Sequence, residues 1–274
     1  MVVRKPPCVQ RKVDTLVLGG GGVRGVAMLG AISRLQSSGM LDGMRTVVGT
    51  SAGALLAAVV ATKRDLKGSL DIMCAHGYVP DFDFGRLLKE FGLDSGKSID
   101  SLVDALLGPA NLTFGDVQKL HGVRLVVCAT NLTTRRAEFF CAATHTDMPI
   151  ALAVRMSCSV PLYFRAVKYR GNLYVDGSVT NNFACDWALR NGCERVLGVT
   201  LKARGTSIKT LDNFLGALVE ASAFATQAPS TAIHILELDA PGTSAFDFGA
   251  PKSQLSLLFA SGVHEAETYL KKHA

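Results

Sequence analysis

A serine, an aspartate and a run of glycines, each in its own turn-forming context, are the residues of this chain best able to act together. Ser51 stands in Gly49-Thr50-Ser51-Ala52-Gly53, the G-x-S-x-G spacing that lifts a hydroxyl out of a sharp strand-to-helix turn as a nucleophile. Glycines on either side leave room where such a turn presses the backbone onto its neighbours. The helix that begins behind the serine points the positive end of its dipole at developing negative charge. Gly19-Gly20-Gly21-Gly22-Val23-Arg24-Gly25 supplies bare backbone N–H groups that can come close to a ligand. Aimed at a reacting carbonyl, amides of this kind form an oxyanion hole, each donor contributing roughly 2.7–4 kcal/mol in the transition state. Gly21 and Gly22 are the foremost candidate donors, with Gly20 beside them and Ala52 next to the serine. Asp176, in Tyr174-Val175-Asp176-Gly177-Ser178, puts a carboxylate at a strand end entering a tight turn. A nucleophile, amides for an oxyanion and a carboxylate base are the parts of a serine acyl hydrolase.

The same residues admit other readings. Gly20, Gly22 and Gly25 also spell the G-x-G-x-x-G of a dinucleotide site. That fold expects an acid at the end of the second strand, where this chain has Val48-Gly49-Thr50-Ser51, and no Gly-Lys-Ser/Thr phosphate loop is present. A non-catalytic lipid- or nucleotide-binding module is therefore a second reading, opposed by the presence of both Ser51 and Asp176. His234 and His264 follow Asp176, so the chain order also permits a Ser-Asp-His esterase. The six histidines show no metal-binding spacing, and no metal or organic cofactor is expected.

In this order the three segments resemble the patatin-like phospholipases, whose pattern is a G-G-G-x-R/K-G loop, a G-x-S-x-G elbow and a D-G-G/A turn. The resemblance runs from about Val13 to Asn182. It implies a three-layer α/β/α sandwich with a mostly parallel central sheet. It also implies a lipid acyl hydrolase of phospholipase A or lysophospholipase type, in which Asp176 takes the Ser51 proton directly as half of a Ser–Asp dyad. An acyl-enzyme then forms and is hydrolysed without calcium. Arg24 falls on the basic position of the family loop, where it could bind substrate by steering a phosphate or brace the loop; a surface salt bridge is the plain alternative. Two departures bear on loop geometry: Ser178 stands where the family has Gly or Ala, and Phe183-Ala184 follows Asn181-Asn182 in place of a proline. Cys158-Ser159-Val160-Pro161-Leu162-Tyr163-Phe164 resembles the family's small-residue, proline and aromatic segment beside the site.

Alternating short β-branched runs and helical spacings must position these groups. Val13–Leu18 and Arg45–Val48 read as strands, with helices over Val23–Gln36 and Ala52–Thr62. This β-α-β-α opening implies parallel strands with helices on their faces. Lys63–Lys119 is helix-biased with breaks, and Thr113 is placed to cap a short helix ending at Leu120. Val123–Ala129 and Arg136–Cys141 form a strand pair, Pro149–Ser157 and Phe183–Arg190 are helical, and Val196–Thr200 and Ile233–Leu238 are strands. Helices are expected over Thr210–Thr226 and from Lys252 onward. Phe82, Phe84, Leu87, Leu88, Phe91 and Leu93, interleaved with Arg86 and Lys89, suit either a functional element (a mobile lid or a membrane-docking element) or a helix packed on the sheet. The packed helix is the expected one of the two.

The bulk numbers agree with one globular unit. A chain of 274 residues with 48% hydrophobic and 19% charged residues can bury about three-quarters of its unfolded surface. It divides into a basic tail over 1–12 and a single acyl hydrolase domain over 13–274. The longest apolar stretch, Ala52–Ala61, is about half of a bilayer span. The basic N-terminus has no apolar core of a secretory signal, and seven scattered cysteines without a C-x-x-C pair fit a reducing, cytoplasmic setting. A net charge of +6 suits an anionic surface. With ester chemistry at the site, the expected partners are a phospholipid or lysophospholipid substrate and, peripherally, an anionic membrane, not nucleic acid.

Overall fold

A computed structural model describes residues 12–108, 112–202 and 234–273, with Ala217 and Ala221. The expected basic tail, apart from Lys12, and most of the helix expected over 210–226 lie outside the described residues. Ten strands are described: β1 (Thr15–Leu18), β2 (Thr46–Thr50), β3 (Gly92–Asp94), β4 (Arg124–Asn131), β5 (Arg136–Phe140), β6 (Leu162–Phe164), β7 (Val167–Tyr169), β8 (Asn172–Asp176), β9 (Val196–Leu201) and β10 (His234–Leu238). Eight of them make one sheet. Its parallel part runs β10-β9-β1-β2-β4, and the antiparallel β5, β8 and β7 complete it. The remaining two, β3 and β6, pair in parallel as a small separate sheet.

Near-continuous apolar runs in the central strands follow from burial on both faces. In β1, Leu16 and Leu18 join the larger core, while Val17 joins Val48 and Val126 in a smaller core on the opposite face. Helices Gly25–Ser37, Ala52–Ala61, Ile150–Ser157 and Lys252–His273 contribute to the larger core. On the other face, Trp187 and Ala188 of the helix Cys185–Arg190 cover the smaller one. The protein is thus a single-domain α/β sandwich around a mostly parallel sheet. Thr113 caps the helix Phe114–His121 in a reciprocal box with Asp116.

One feature of the topology places the chemistry. Strand β2 pairs with Arg124–Cys128 of β4, and β5 pairs with Val127–Asn131. Because Val127 and Cys128 partner both, β2 and β5 lie on opposite edges of β4. Strand β8 pairs with Ala129–Asn131, residues that β5 also partners, so β8 shares the edge used by β2. The two strands run toward each other and meet tip to tip, Thr50 opposite Cys128 and Asp176 opposite Ala129. The residue that follows Thr50 is Ser51.

The expectation for 82–93 is corrected. Helix Phe84–Glu90 buries none of its residues, and Phe84 and Leu88 are 77% and 82% exposed. Its anchors are polar instead: Arg86 Nη1 donates to Asp81 O and Leu93 O at 2.7 and 2.8 Å, and Asp81 accepts from Ser95 N and Oγ. Leu93 turns inward on β3, a strand that the helix-biased reading of Lys63–Lys119 did not include. Among the described residues no helix is long and apolar enough to cross a membrane.

Candidate active site

Strand β2 ends, and the chain reverses into helix Ala52–Ala61 through Ser51, whose φ of 54° and ψ of −126° lie where L-residues rarely sit. The turn is crowded enough to need both of its glycines. A Cβ on Gly49 would strike the Gly53 carbonyl, and one on Gly53 would strike the carbonyls of Leu18 and Gly19. Such strain persists only where surrounding contacts over-determine it. Here Ser51 Oγ donates to Asp176 Oδ2 at 2.7 Å, and Ser51 N donates to Ser157 Oγ at 2.8 Å.

Asp176 is fully buried at the end of β8. Its second oxygen, Oδ1, accepts from Ser178 N at 2.9 Å and from Ser178 Oγ at 2.6 Å. Burial pushes its carboxyl up to about 6, and the bonds from Ser178 and Ser51 oppose that rise because they favour the charged form. The hydroxyl of Ser178, where the related motif has no polar side chain, is thus a direct partner of the carboxylate. Cys128 and Cys158 are both buried nearby, and burial pushes their thiols up, so they stay neutral beside Asp176.

The glycine loop packs against the elbow, where a Cβ on Gly20 would come within 3.2 Å of Ser51 Cβ. Gly20 N–H donates to Asn182 O at 3.1 Å, so Gly20 shapes the loop and is not an open donor, a correction to its place among the candidate amides. Among the described residues the Gly21 and Gly22 N–H groups make no bond of this kind, and Gly22 takes a φ of +56° that suits glycine. Ala52 N–H opens the helix behind Ser51 and has no intrahelical acceptor. Arg24 is 8% exposed, and it is not among the residues lining the cavity described next. Its position fits bracing of the loop better than contact with substrate.

Ser51, Ala52 and Gly22 face a cavity of about 330 Å³. Most of its wall is apolar: Leu55 and Leu56 from the helix behind the serine, Met73, Ile99, Leu102, Val160, Phe164, Phe248 and Leu255. A polar end at the serine and an apolar body beyond it suit an acyl chain with its carbonyl at Ser51. His76 lines the cavity, with Nε2 bonded to Ser98 O. His234 and His264 are exposed, and among the described residues no histidine bonds to Ser51 or Asp176. Nor could any cluster of His, Cys, Asp and Glu among them hold a metal ion.

Ser157 and Phe248 were beyond the reach of sequence reasoning. Ser157 carries no motif of its own, although it adjoins the Cys158–Phe164 segment singled out for its small residues and proline. Phe248 and Leu255 lie beyond Asn182, where the motif pattern stops.

The family model "Patatin-like phospholipase" matches residues 16–189. Protein YqhO of Bacillus subtilis (strain 168) is 30% identical, covering 93% of this chain and 97% of that protein. A probable lipid hydrolase, 463L of Invertebrate iridescent virus 6, is 29% identical over 64% of this chain and 63% of its own length. Among solved structures, VipD from Legionella pneumophila superposes with a TM-score of 0.59 at 19% identity, covering 96% of this chain and 67% of VipD, a likeness of fold.

Proposed function

The chain belongs to the patatin-like phospholipase family, and from that premise we propose that it is a carboxylic-ester hydrolase of the phospholipase A or lysophospholipase type, working through Ser51 and Asp176. The observation that carries the reading is the 2.7 Å bond from Ser51 Oγ to Asp176 Oδ2, with no histidine between them. Asp176, ionised above about pH 6, takes the hydroxyl proton as Oγ attacks the ester carbonyl. The oxyanion that forms is stabilised by the N–H groups of Gly21, Gly22 and Ala52. Asp176 then returns the proton to the departing alcohol, leaving an acyl-enzyme. A water activated by Asp176 releases the fatty acid. The apolar cavity holds the acyl chain, each buried methylene contributing about 0.8 kcal/mol of binding.

The lipid would be met at a membrane. Exposed Phe84 and Leu88 lie in the segment that follows Tyr78, which lines the cavity, and they suit insertion into a lipid surface. The net charge of +6 favours an anionic one. The name of the virus relative, a probable lipid hydrolase, supports a lipid substrate.

A fluorophosphonate probe and a p-nitrophenyl ester test the chemistry. The wild-type protein is expected to be labelled and to hydrolyse the ester. Ser51→Ala is expected to take no label and to lose several powers of ten in turnover. Retention of more than about a tenth of the turnover by Ser51→Ala would overturn the nucleophile, since removing one normally costs far more.

A further inference from the structure

We propose that Ser157 is a positioning residue for this reaction, holding the nucleophile's backbone and the aspartate turn in one register; the inference rests on the Ser51–Asp176 reading. Ser157 closes helix Ile150–Ser157 and is wholly buried. Its hydroxyl accepts from Ser51 N at 2.8 Å and donates to Cys128 O at 2.5 Å. Its own carbonyl accepts from Gly177 N at 3.3 Å. Two residues on, Ser159 O accepts from Asp176 N at 2.8 Å. One short segment therefore grips both halves of the dyad, and it grips them at Cys128, the residue of β4 beside which β2 and β8 meet.

The need for such a grip follows from what happens to Ser51. Its backbone is strained, and the side-chain bond to Asp176 is given up whenever Oγ bonds to an acyl carbon. The bond from Ser51 N to Ser157 Oγ involves no reacting atom and lasts through the whole cycle. It also occupies the Ser51 N–H, so the amide of the nucleophile itself points away from the oxyanion, which is left to Gly21, Gly22 and Ala52. The hydroxyl of Ser157 gives its one proton to Cys128 O and accepts from Ser51 N, with no solvent to substitute for either partner.

A buried hydroxyl can also matter for stability alone, so the test compares two of them. Thr62, at the far end of the helix that Ser51 begins, is 7% exposed and donates to Ala58 O. Ser157→Ala, Ser157→Cys and Thr62→Val are compared with the wild type by melting temperature, by kcat and KM on a p-nitrophenyl ester, and by the rate of fluorophosphonate labelling. Ser157→Ala is expected to lower kcat and labelling rate about ten- to a hundred-fold at nearly unchanged KM, the scale of a small misplacement of reacting groups. Ser157→Cys, keeping a weak donor and acceptor, falls between it and the wild type. Thr62→Val melts lower but labels at the wild-type rate. Labelling of Ser157→Ala at the wild-type rate, or equal slowing in Thr62→Val, overturns the assignment. If Ser157→Ala does not fold, Ser157→Cys alone decides, a wild-type rate again overturning it. A wild-type protein that takes no label sinks the hydrolase reading itself, a result distinct from all of these.

Discussion

Asp176 has no exposed surface, and its ionised form is kept by three hydrogen bonds, one from Ser51 Oγ and two from Ser178. The carboxyl is pushed up to about 6 by burial, and the groups facing it from β4 and from the end of the Ile150–Ser157 helix, Cys128 and Cys158, are neutral thiols. In the proposed role of base it must be ionised, so kcat/KM is expected to fall as pH drops through about 6. Ser178→Ala removes a bond to the charged form and should move that acid limb to higher pH; an unmoved limb would exclude Ser178 as a tuning partner. Stability has the opposite sign. The folded carboxyl titrates above the ordinary value of about 3.9, so the folded protein binds more protons between the two and loses stability as pH rises through that window. Asp176→Asn, with no charge to bury, is expected to melt above the wild type at pH 8 and to lose the advantage below about pH 4, while turnover falls by several powers of ten. A lower melting point for Asp176→Asn at pH 8 would show that the lost hydrogen bonds outweigh the buried charge. The types and turn contexts of Ser51 and Asp176 were legible in the sequence because the elbow and the Asp-Gly turn are local. Ser157 was not, because its role is a contact across 106 residues.

At the scale of elements, the sequence marks what periodicity and turn chemistry encode. Strand β1, the helix behind Ser51, the Thr113 cap and the β4–β5 pair fall where the pattern puts them. What the pattern cannot encode is which partner covers an apolar face. Phe84 and Leu88 have helical spacing, and that spacing is the same whether the face meets a sheet or water. The separate β3–β6 sheet was equally hidden, since three-residue strands are too short to carry a period. The exposed face leads to a prediction. Phe84→Ser with Leu88→Ser should leave hydrolysis of a water-soluble ester near the wild-type rate and slow hydrolysis of phospholipid vesicles several-fold, because removing apolar surface weakens insertion into lipid. Equal vesicle rates for variant and wild type would show that this helix has no part in lipid contact.

The whole molecule carries a formal charge of +6. Hydrolysis of vesicles is expected to be faster on anionic than on zwitterionic lipid, and the difference should shrink with salt as the Debye length falls from about 10 Å at 0.1 M to about 3 Å at 1 M. Rates that ignore both lipid charge and salt would remove electrostatics from the account. Fold class was readable because the β-α-β-α opening forces parallel pairing. The meeting of β2 and β8 on one edge of β4 was not, since pairing of distant strands leaves no local trace. That meeting has a consequence for the cell. Ser51 and Asp176 are 125 residues apart in the chain and become neighbours only when both strands have docked on β4 in register. A slip of β8 by one residue would carry the carboxylate about 3.3 Å and turn it to the opposite face of the sheet. A nascent, truncated or misfolded copy would therefore lack the proposed dyad, and on that proposal lipolysis begins only in molecules that have finished folding.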